Sequence, residues 1–294
     1  MKPSVVENYQ QLHVFNCKGR LLDLSTPLIM GILNVTPDSF YDGGKFTDLK
    51  AIVAHAGTMI RQGAAIIDIG AQSTRPGADK ISPKKEASRL LPALEAVLDK
   101  FPQALVSVDT FYADVAQKAV EKGASIINDI SGGSFDPEMF QAAGALQVPY
   151  ILMHMKGEPA TMQEKPKYKN VTEEVFTFFA DTLPALQKAG VRDTILDPGF
   201  GFGKTTQHNF QLLNDLNLFQ QLDKPILAGL SRKSLTYKTL GLKPEEALNG
   251  TTALNMVALQ NGAGLLRVHD VKEAIQTVKL YLALKNAVTS HSSS

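Results

Sequence analysis

The chain has 294 residues, 44% of them hydrophobic, enough to bury one large core, and its 30 Lys and Arg nearly cancel its 29 Asp and Glu. That balance removes the electrostatic case for a nucleic-acid or membrane-surface partner, and a single cysteine, Cys17, excludes an intrachain disulfide or a cysteine-based zinc site. No apolar run approaches the roughly 18 residues of a membrane span, and MKPSVVENYQ lacks the basic-then-apolar pattern of a secretory leader, so a cytoplasmic protein is expected.

In chain order, residues 1–24 read as a short β-ribbon that turns at Asn16 to Arg20 and covers the bottom of a larger strand–helix domain. Eight short runs then recur: LIMGILN, AIIDIG, LVSVD, SIINDI, YILMH, TILDPG, PILAGL and GLLRVHD. Being nearly continuous in Ile, Val and Leu, they read as strands buried on both faces of a parallel sheet. Amphipathic helices fill the gaps. Leu49, Ile52, Val53, Ala56, Met59 and Ile60 form one apolar stripe after the first strand, and Val271, Ala274, Ile275, Val278 and Leu282 form another after the last. Ser82-Pro83 and Asp136-Pro137 each place a capping oxygen before a proline at a first helical position. Asp270 and Glu273 have the spacing of a capping box. Eight strand–helix units without hairpins predict one (β/α)₈ barrel of the TIM-barrel class over residues 25–288, with 289–294 as a fraying tail.

Catalytic groups of such a barrel sit where its strands end. The strand ends here carry Asn34, Asp68, Asp109, Asn128 with Asp129, His154, Asp197, Ser231 to Lys233, and Arg267 with His269. Charge divides this rim into two. Asp109, Asn128 and Asp197 can pair with a flat heterocycle bearing an amino-pyrimidine edge, because a carboxylate facing a guanidine-like edge makes paired charge-assisted bonds. Arg267 and His269 alternate on the eighth strand and share a face with each other, next to Asn34, which suits phosphate. Asp68 reads as support, bonding loop amides or Asn34, and His154 as a satisfied histidine of the barrel mouth. The stretch PGFGFGKT, Pro198 to Thr205, imitates a phosphate-binding P-loop, but Pro198 stands where that motif needs glycine. It reads instead as a glycine-rich loop that lets Phe202 lean over a bound ring.

Taken together, IMGILNVTPDSFYDGG (29–44), GAAIIDIGAQSTRPG (63–77), SVDT, NDI, DPGFGFGK, GLSRKS and RVHD, in this order, resemble the dihydropteroate synthases over nearly the whole barrel. The resemblance implies an enzyme that joins 6-hydroxymethyl-7,8-dihydropterin diphosphate to p-aminobenzoate and is a sulfonamide target. It implies pterin binding by Asp109, Asn128, Asp197 and Lys233, and diphosphate binding by Asn34, Thr74, Arg267 and His269, with Mg²⁺ at Asn34. Lys233, Asp109, Asp197 and Arg267 would carry the catalysis. p-Aminobenzoate would lie among Thr74, Pro76, Phe202 and Ser234, with Phe40 and Arg75 closing two mobile loops over it. The family's usual Gly-Glu after the second strand is replaced by Ala71-Gln72. A homodimer is also implied, with Leu248, Met256, Val257, Tyr281 and Leu284 as surplus apolar surface on two late helices. Two other readings share part of this pattern: a pterin-binding methyltransferase barrel, which has no diphosphate to hold, and a pterin-binding paralogue without catalysis.

Overall fold

The computed structural model describes residues 13–36, 45–72, 80–157, 162 and 166–289. Two short strands, β1 (Val14–Cys17) and β2 (Arg20–Asp23), pair antiparallel. The turn between them is Lys18-Gly19, both at positive φ (54° and 82°), the geometry that matches the twist of a two-residue hairpin.

Eight parallel strands come next and close on themselves: β3 (Leu28–Asn34), β4 (Ile66–Gly70), β5 (Leu105–Asp109), β6 (Ile126–Asp129), β7 (Tyr150–Met153), β8 (Thr194–Asp197), β9 (Ile226–Ala228) and β10 (Ala263–Val268). β10 pairs with β3 to complete the barrel. The expected eight-stranded barrel and its ribbon are both present.

Helices connect the strands on the outside: α1 (Lys45–Gln62), α2 (Pro83–Lys100), α3 (Ala113–Glu121), α4 (Met139–Leu146), α5 (Val171–Lys188), α6 (Thr206–Asn214), α7 (Ser234–Leu240), α8 (Leu248–Gln260) and α9 (Val271–Thr289). In α1, the stripe read from the sequence faces the sheet, with Ile52, Ala56 and Met59 buried and Leu49, Val53 and Ile60 packed beside them. Among the described residues no helix is long and apolar enough to cross a membrane.

Side chains of a strand alternate between its faces, so each strand sends every second residue into the barrel. Met30, Ile66, Ile126, Ile151, Ile195, Leu227 and Leu265, with Leu105 half-buried, fill the lower barrel. The ribbon closes it from below with Phe15, Cys17, Leu22 and Leu24. Burying each such aliphatic side chain contributes about 1.5–3 kcal/mol. The same inward columns turn polar higher up: two residues beyond Ile66 stands Asp68, beyond Ile126 Asn128, beyond Ile195 Asp197, and beyond Leu265 Arg267. A dry plug therefore supports a polar mouth, and strand parity alone sets which residues reach it.

Two helix-start readings change. Ser82 caps α2 as expected, accepting from Lys85 N at 3.3 Å. Asp136 does not open α4, which begins at Met139. Its carboxylate instead accepts from Glu138 N (3.0 Å) and from Ala113 N (2.8 Å), so it serves the first turn of α3, 23 residues earlier in the chain. Asp270 precedes α9, but both of its oxygens are taken by Arg232.

Candidate active site

Arg267 is the hub of the mouth. Its Nε donates to Asp68 Oδ2 at 2.7 Å and its Nη2 to Asp109 Oδ2 at 2.7 Å. Asn128 Nδ2 also donates to Asp68 Oδ2, at 3.1 Å. The two groups that charge alone separated thus form one cluster, with Arg267 among the acids. Asp68 corrects the sequence reading in the same way: it is fully buried and bonds Arg267 and Asn128, where loop amides or Asn34 were expected. Its partners lie 199 and 60 residues away in sequence, so only the inward parity of β4 signalled them.

Asp197, from the end of β8, is 4% exposed, and its Oδ1 accepts from Gly199 N at 2.8 Å. Burial pushes its pKa up, against the pull of Lys233. Burial likewise raises Asp109, with Asp68 adding to the rise and Arg267 opposing it. Lys233 follows β9, and its ammonium donates to the Phe200 carbonyl and stands 4.8 Å from the centre of the Phe202 ring. Burial lowers its pKa to about 8, with Asp197 holding it from falling further. Asp109, Asn128, Asp197 and Lys233, the four residues expected around a pterin, therefore gather together at the barrel mouth. Asp68, Asp109 and Asp197 thus stand among Arg267 and Lys233, with Lys204 acting on Asp197 from the loop behind it.

His269, two residues beyond Arg267, places Nδ1 2.9 Å from Ser231 Oγ. Crowding by surrounding protein and then the charge of Arg267 lower its pKa to about 4, which favours the neutral ring. Asn34 ends β3 at the exposed rim. Ser234 opens α7, half-buried, next to Lys233. Phe202 is buried against Phe111, Ile130, Met153 and Met162. Phe40, Thr74, Arg75 and Pro76 lie outside the described residues. At the base of that second loop, Ala71 is buried in the core, and Gln72 Oε1 accepts from Ile81 N at 3.0 Å. The replaced Gly-Glu pair thus leaves a core methyl and a hydrogen bond across the loop's two ends.

The glycine-rich loop after β8 is built around its own lysine. Lys204 is 2% exposed; its Nζ has the carbonyls of Gly199 (3.0 Å), Phe202 (3.1 Å) and His154 (3.3 Å) as acceptors for its three hydrogens, and lies 2.9 Å from His154 Nδ1. No donor is left for a phosphate, which disposes of the P-loop likeness. Gly199 and Gly203 have φ of 69° and 62°, and a Cβ at either would collide with the carbonyl oxygens of His154 and Lys156. His154 is buried and satisfied, as read from the sequence; burial and the neighbouring lysines push its pKa down to about 2. Asp129 points outward and is fully engaged by Tyr150 Oη, Ser131 and Gly133 N, a structural role behind the mouth.

Known proteins resemble this chain in sequence and fold. The family model for "Pterin binding enzyme" matches residues 30–269. The dihydropteroate synthase of Escherichia coli is 44% identical over 272 residues, 92% of this chain and 96% of the relative, and that of Bacillus subtilis is 42% identical over 88% and 89%. Among solved structures, Xanthomonas albilineans dihydropteroate synthase with 4-aminobenzoic acid superposes with a TM-score of 0.87 at 40% identity, covering 94% of this chain and 99% of its own. A Yersinia pestis dihydropteroate synthase in a sulfonamide complex gives 0.88 at 40%, covering 93% and 100%. A barrel that gathers Asp109, Asn128, Asp197 and Lys233 at its mouth, with this likeness along almost its whole length, belongs to the dihydropteroate synthases, the pterin-binding transferases of folate synthesis.

Proposed function

We propose that the chain condenses 6-hydroxymethyl-7,8-dihydropterin diphosphate with p-aminobenzoate, forming 7,8-dihydropteroate and releasing diphosphate. The observation that carries this reading is the acidic seat of Asp109, Asn128 and Asp197 lying against Arg267 and Lys233. An X. albilineans relative binds 7,8-dihydropteroate, at 38% identity and a TM-score of 0.83, which supports it.

Each residue has a task that its position suits. Asp197 and Asp109 accept from the amino-pyrimidine edge, Asn128 donates and accepts beside them, and Lys233 donates to the ring carbonyl. Arg267 turns from Asp109 towards the diphosphate while Asp68 keeps its Nε, and His269, Asn34 and Thr74 complete the anion's surroundings. Departure of diphosphate breaks the methylene C–O bond and leaves a cation delocalised over the ring. The carboxylates, already fixed in place, stabilise that charge without reorganising. The amine of p-aminobenzoate then forms the C–N bond and loses a proton. Its ring would lie against Phe202 and Pro76 and its carboxylate near Ser234 and Thr74, with Phe40 and Arg75 closing over them. A sulfonamide would compete for the same place.

Mg²⁺ is part of this proposal. Among the described residues no three acids or histidines gather as a metal cage. The exposed amide oxygen of Asn34 fits a hard cation that keeps its waters and draws its other ligands from the diphosphate. When bound there, the ion would neutralise charge on the leaving group. The dimer and a cytoplasmic location complete the proposal.

Purified protein supplied with both substrates and Mg²⁺ should yield 7,8-dihydropteroate, and chelation should stop it. Pterin binding without product would identify a non-catalytic paralogue. Undiminished turnover after thorough chelation would remove the metal.

A further inference from the structure

The loops after β9 and β10 are fastened by two successive contacts. Ser231 Oγ accepts the His269 backbone N–H at 3.2 Å and lies 2.9 Å from His269 Nδ1. One residue on, Arg232 forks onto Asp270, with Nε to Oδ2 at 2.9 Å and Nη2 to Oδ1 at 2.8 Å. Arg232 itself is held at a positive φ of 53°, donates its N–H to Thr251 Oγ1 at 3.0 Å, and donates Nη1 to the Glu245 carbonyl at 2.7 Å. The Arg232 anchors thus fix where the Ser231 hydroxyl stands against the imidazole, and at that position the chain turns so that Lys233 enters the pocket.

Hydrogen-bond satisfaction then selects one arrangement of protons. A serine hydroxyl has one hydrogen and two lone pairs. One lone pair already takes the His269 N–H. Ser231 is 4% exposed, and among the described residues the one other hydrogen-bonding atom at its Oγ is Nδ1. A proton on Nδ1 would donate into the second lone pair and strand the hydroxyl hydrogen without an acceptor in a buried place, which native structures avoid. When the hydroxyl donates to Nδ1, every group is paired, and the ring of a neutral histidine must carry its proton on Nε2.

We propose that Ser231 is a positioning residue that fixes His269 as the Nε2–H tautomer, so that the exposed edge of the ring offers an anionic oxygen a donor rather than a lone pair. In a neutral imidazole this choice decides attraction or repulsion, because the unprotonated nitrogen would direct its own lone pair at the phosphate oxygen. The proposal deepens the reading of His269 as a diphosphate ligand and rests on it for the ligand, but not for the tautomer.

The two parts separate experimentally. In full-length protein labelled with ¹⁵N-histidine at neutral pH, the His269 resonances, assigned by their loss in His269→Ala, should show a protonated Nε2 and an unprotonated Nδ1. Ser231→Ala should mix the tautomers and weaken inorganic pyrophosphate binding about tenfold, the scale of one hydrogen bond to an anion, with the affinity for the unphosphorylated pterin alcohol unchanged. Ser231→Thr, which keeps the hydroxyl, should restore both. A protonated Nδ1 in the wild-type protein would overturn the proposal, and so would Ser231→Ala with tautomer and pyrophosphate affinity both intact. If the wild type is Nε2–H but His269→Ala binds pyrophosphate normally, tautomer control stands and the diphosphate reading of His269 falls.

Discussion

Arg267 meets two demands with one guanidinium. In the structure it pairs with Asp68 and Asp109; in the proposed reaction it also grips phosphate oxygens. A planar fork can keep Nε on Asp68 while its other nitrogens change partner, which a lysine ammonium cannot copy. Arg267→Lys should therefore weaken pterin diphosphate binding about tenfold or more while sparing the pterin alcohol, since charge-assisted bonds are worth roughly 1.5–3 kcal/mol. Calorimetry showing equal weakening of both ligands would contradict this. Glu86, in the first turn of α2, is a buried acid that the sequence reading missed, because it sits on a helix among ordinary charged neighbours. It is fully buried, neither carboxyl oxygen has a partner in hydrogen-bonding geometry among the described residues, and burial raises its pKa to about 7, with the nearby Thr110 hydroxyl pulling the other way. The folded state thus keeps a proton that the unfolded chain releases from its ordinary value of 4.5 upward, so this group's contribution falls as pH rises from 4.5 to 7 and costs most above 7. The full cost is on the order of 3 kcal/mol, at about 1.4 kcal/mol for each tenfold change in proton affinity. Relative to wild type, Glu86→Gln should gain stability as pH rises from about 5 to 8. Melting curves with a pH-independent difference would rule this out.

At the scale of elements, local chemistry predicted starts better than partners. Ser82 lies next to the helix it caps and was legible. Asp136 satisfies the same local pattern, yet the barrel brings the start of α3 within its reach and the carboxylate serves that helix as well as Glu138 N. Losing a cap costs about 0.5–2 kcal/mol. Asp136→Ala, which strands two amide donors, should cost more than Ser82→Ala, which strands one. Denaturant titration of the two variants gives the comparison, and an equal or smaller loss at Asp136 would mean its bond to α3 is not stabilising. The strands were legible for a physical reason: continuous burial makes each an uninterrupted aliphatic run, and period two then sorts inward from outward residues. The loop after β8 shows the opposite case. Pro198 already argued against the phosphate cradle that its motif imitates, but only the fold shows where Lys204 goes, turned inward onto the loop's own carbonyls.

For the whole molecule, a sequence of eight strand–helix units carried the barrel, and strand ends carried most of its mouth. Contacts between strands far apart in sequence stayed hidden, above all Asp68 with Arg267 and Ser231 with His269. The last helices also expose several apolar side chains. Leu240, Leu242, Val257, Leu280 and Leu284, all between α7 and α9, are exposed, whereas Leu248, Met256 and Tyr281, grouped with that surface from the sequence, are half-buried. The proposed homodimer would bury the exposed side chains, so sedimentation at micromolar concentration should give twice the chain mass, and Leu280→Arg should shift it towards the monomer. A monomer for the wild-type chain would end the idea. The central proposal concerns the mouth as a whole: carboxylates fixed beside the pterin favour a cation on it, so that the leaving group would depart before the amine attacks. The direct test is the secondary deuterium isotope effect on kcat/KM with pterin diphosphate labelled at its methylene. Bond cleavage ahead of attack loosens the methylene carbon and predicts a normal effect well above unity; an effect indistinguishable from unity would mean that amine and diphosphate exchange in one concerted step, and the acidic seat would not work as described.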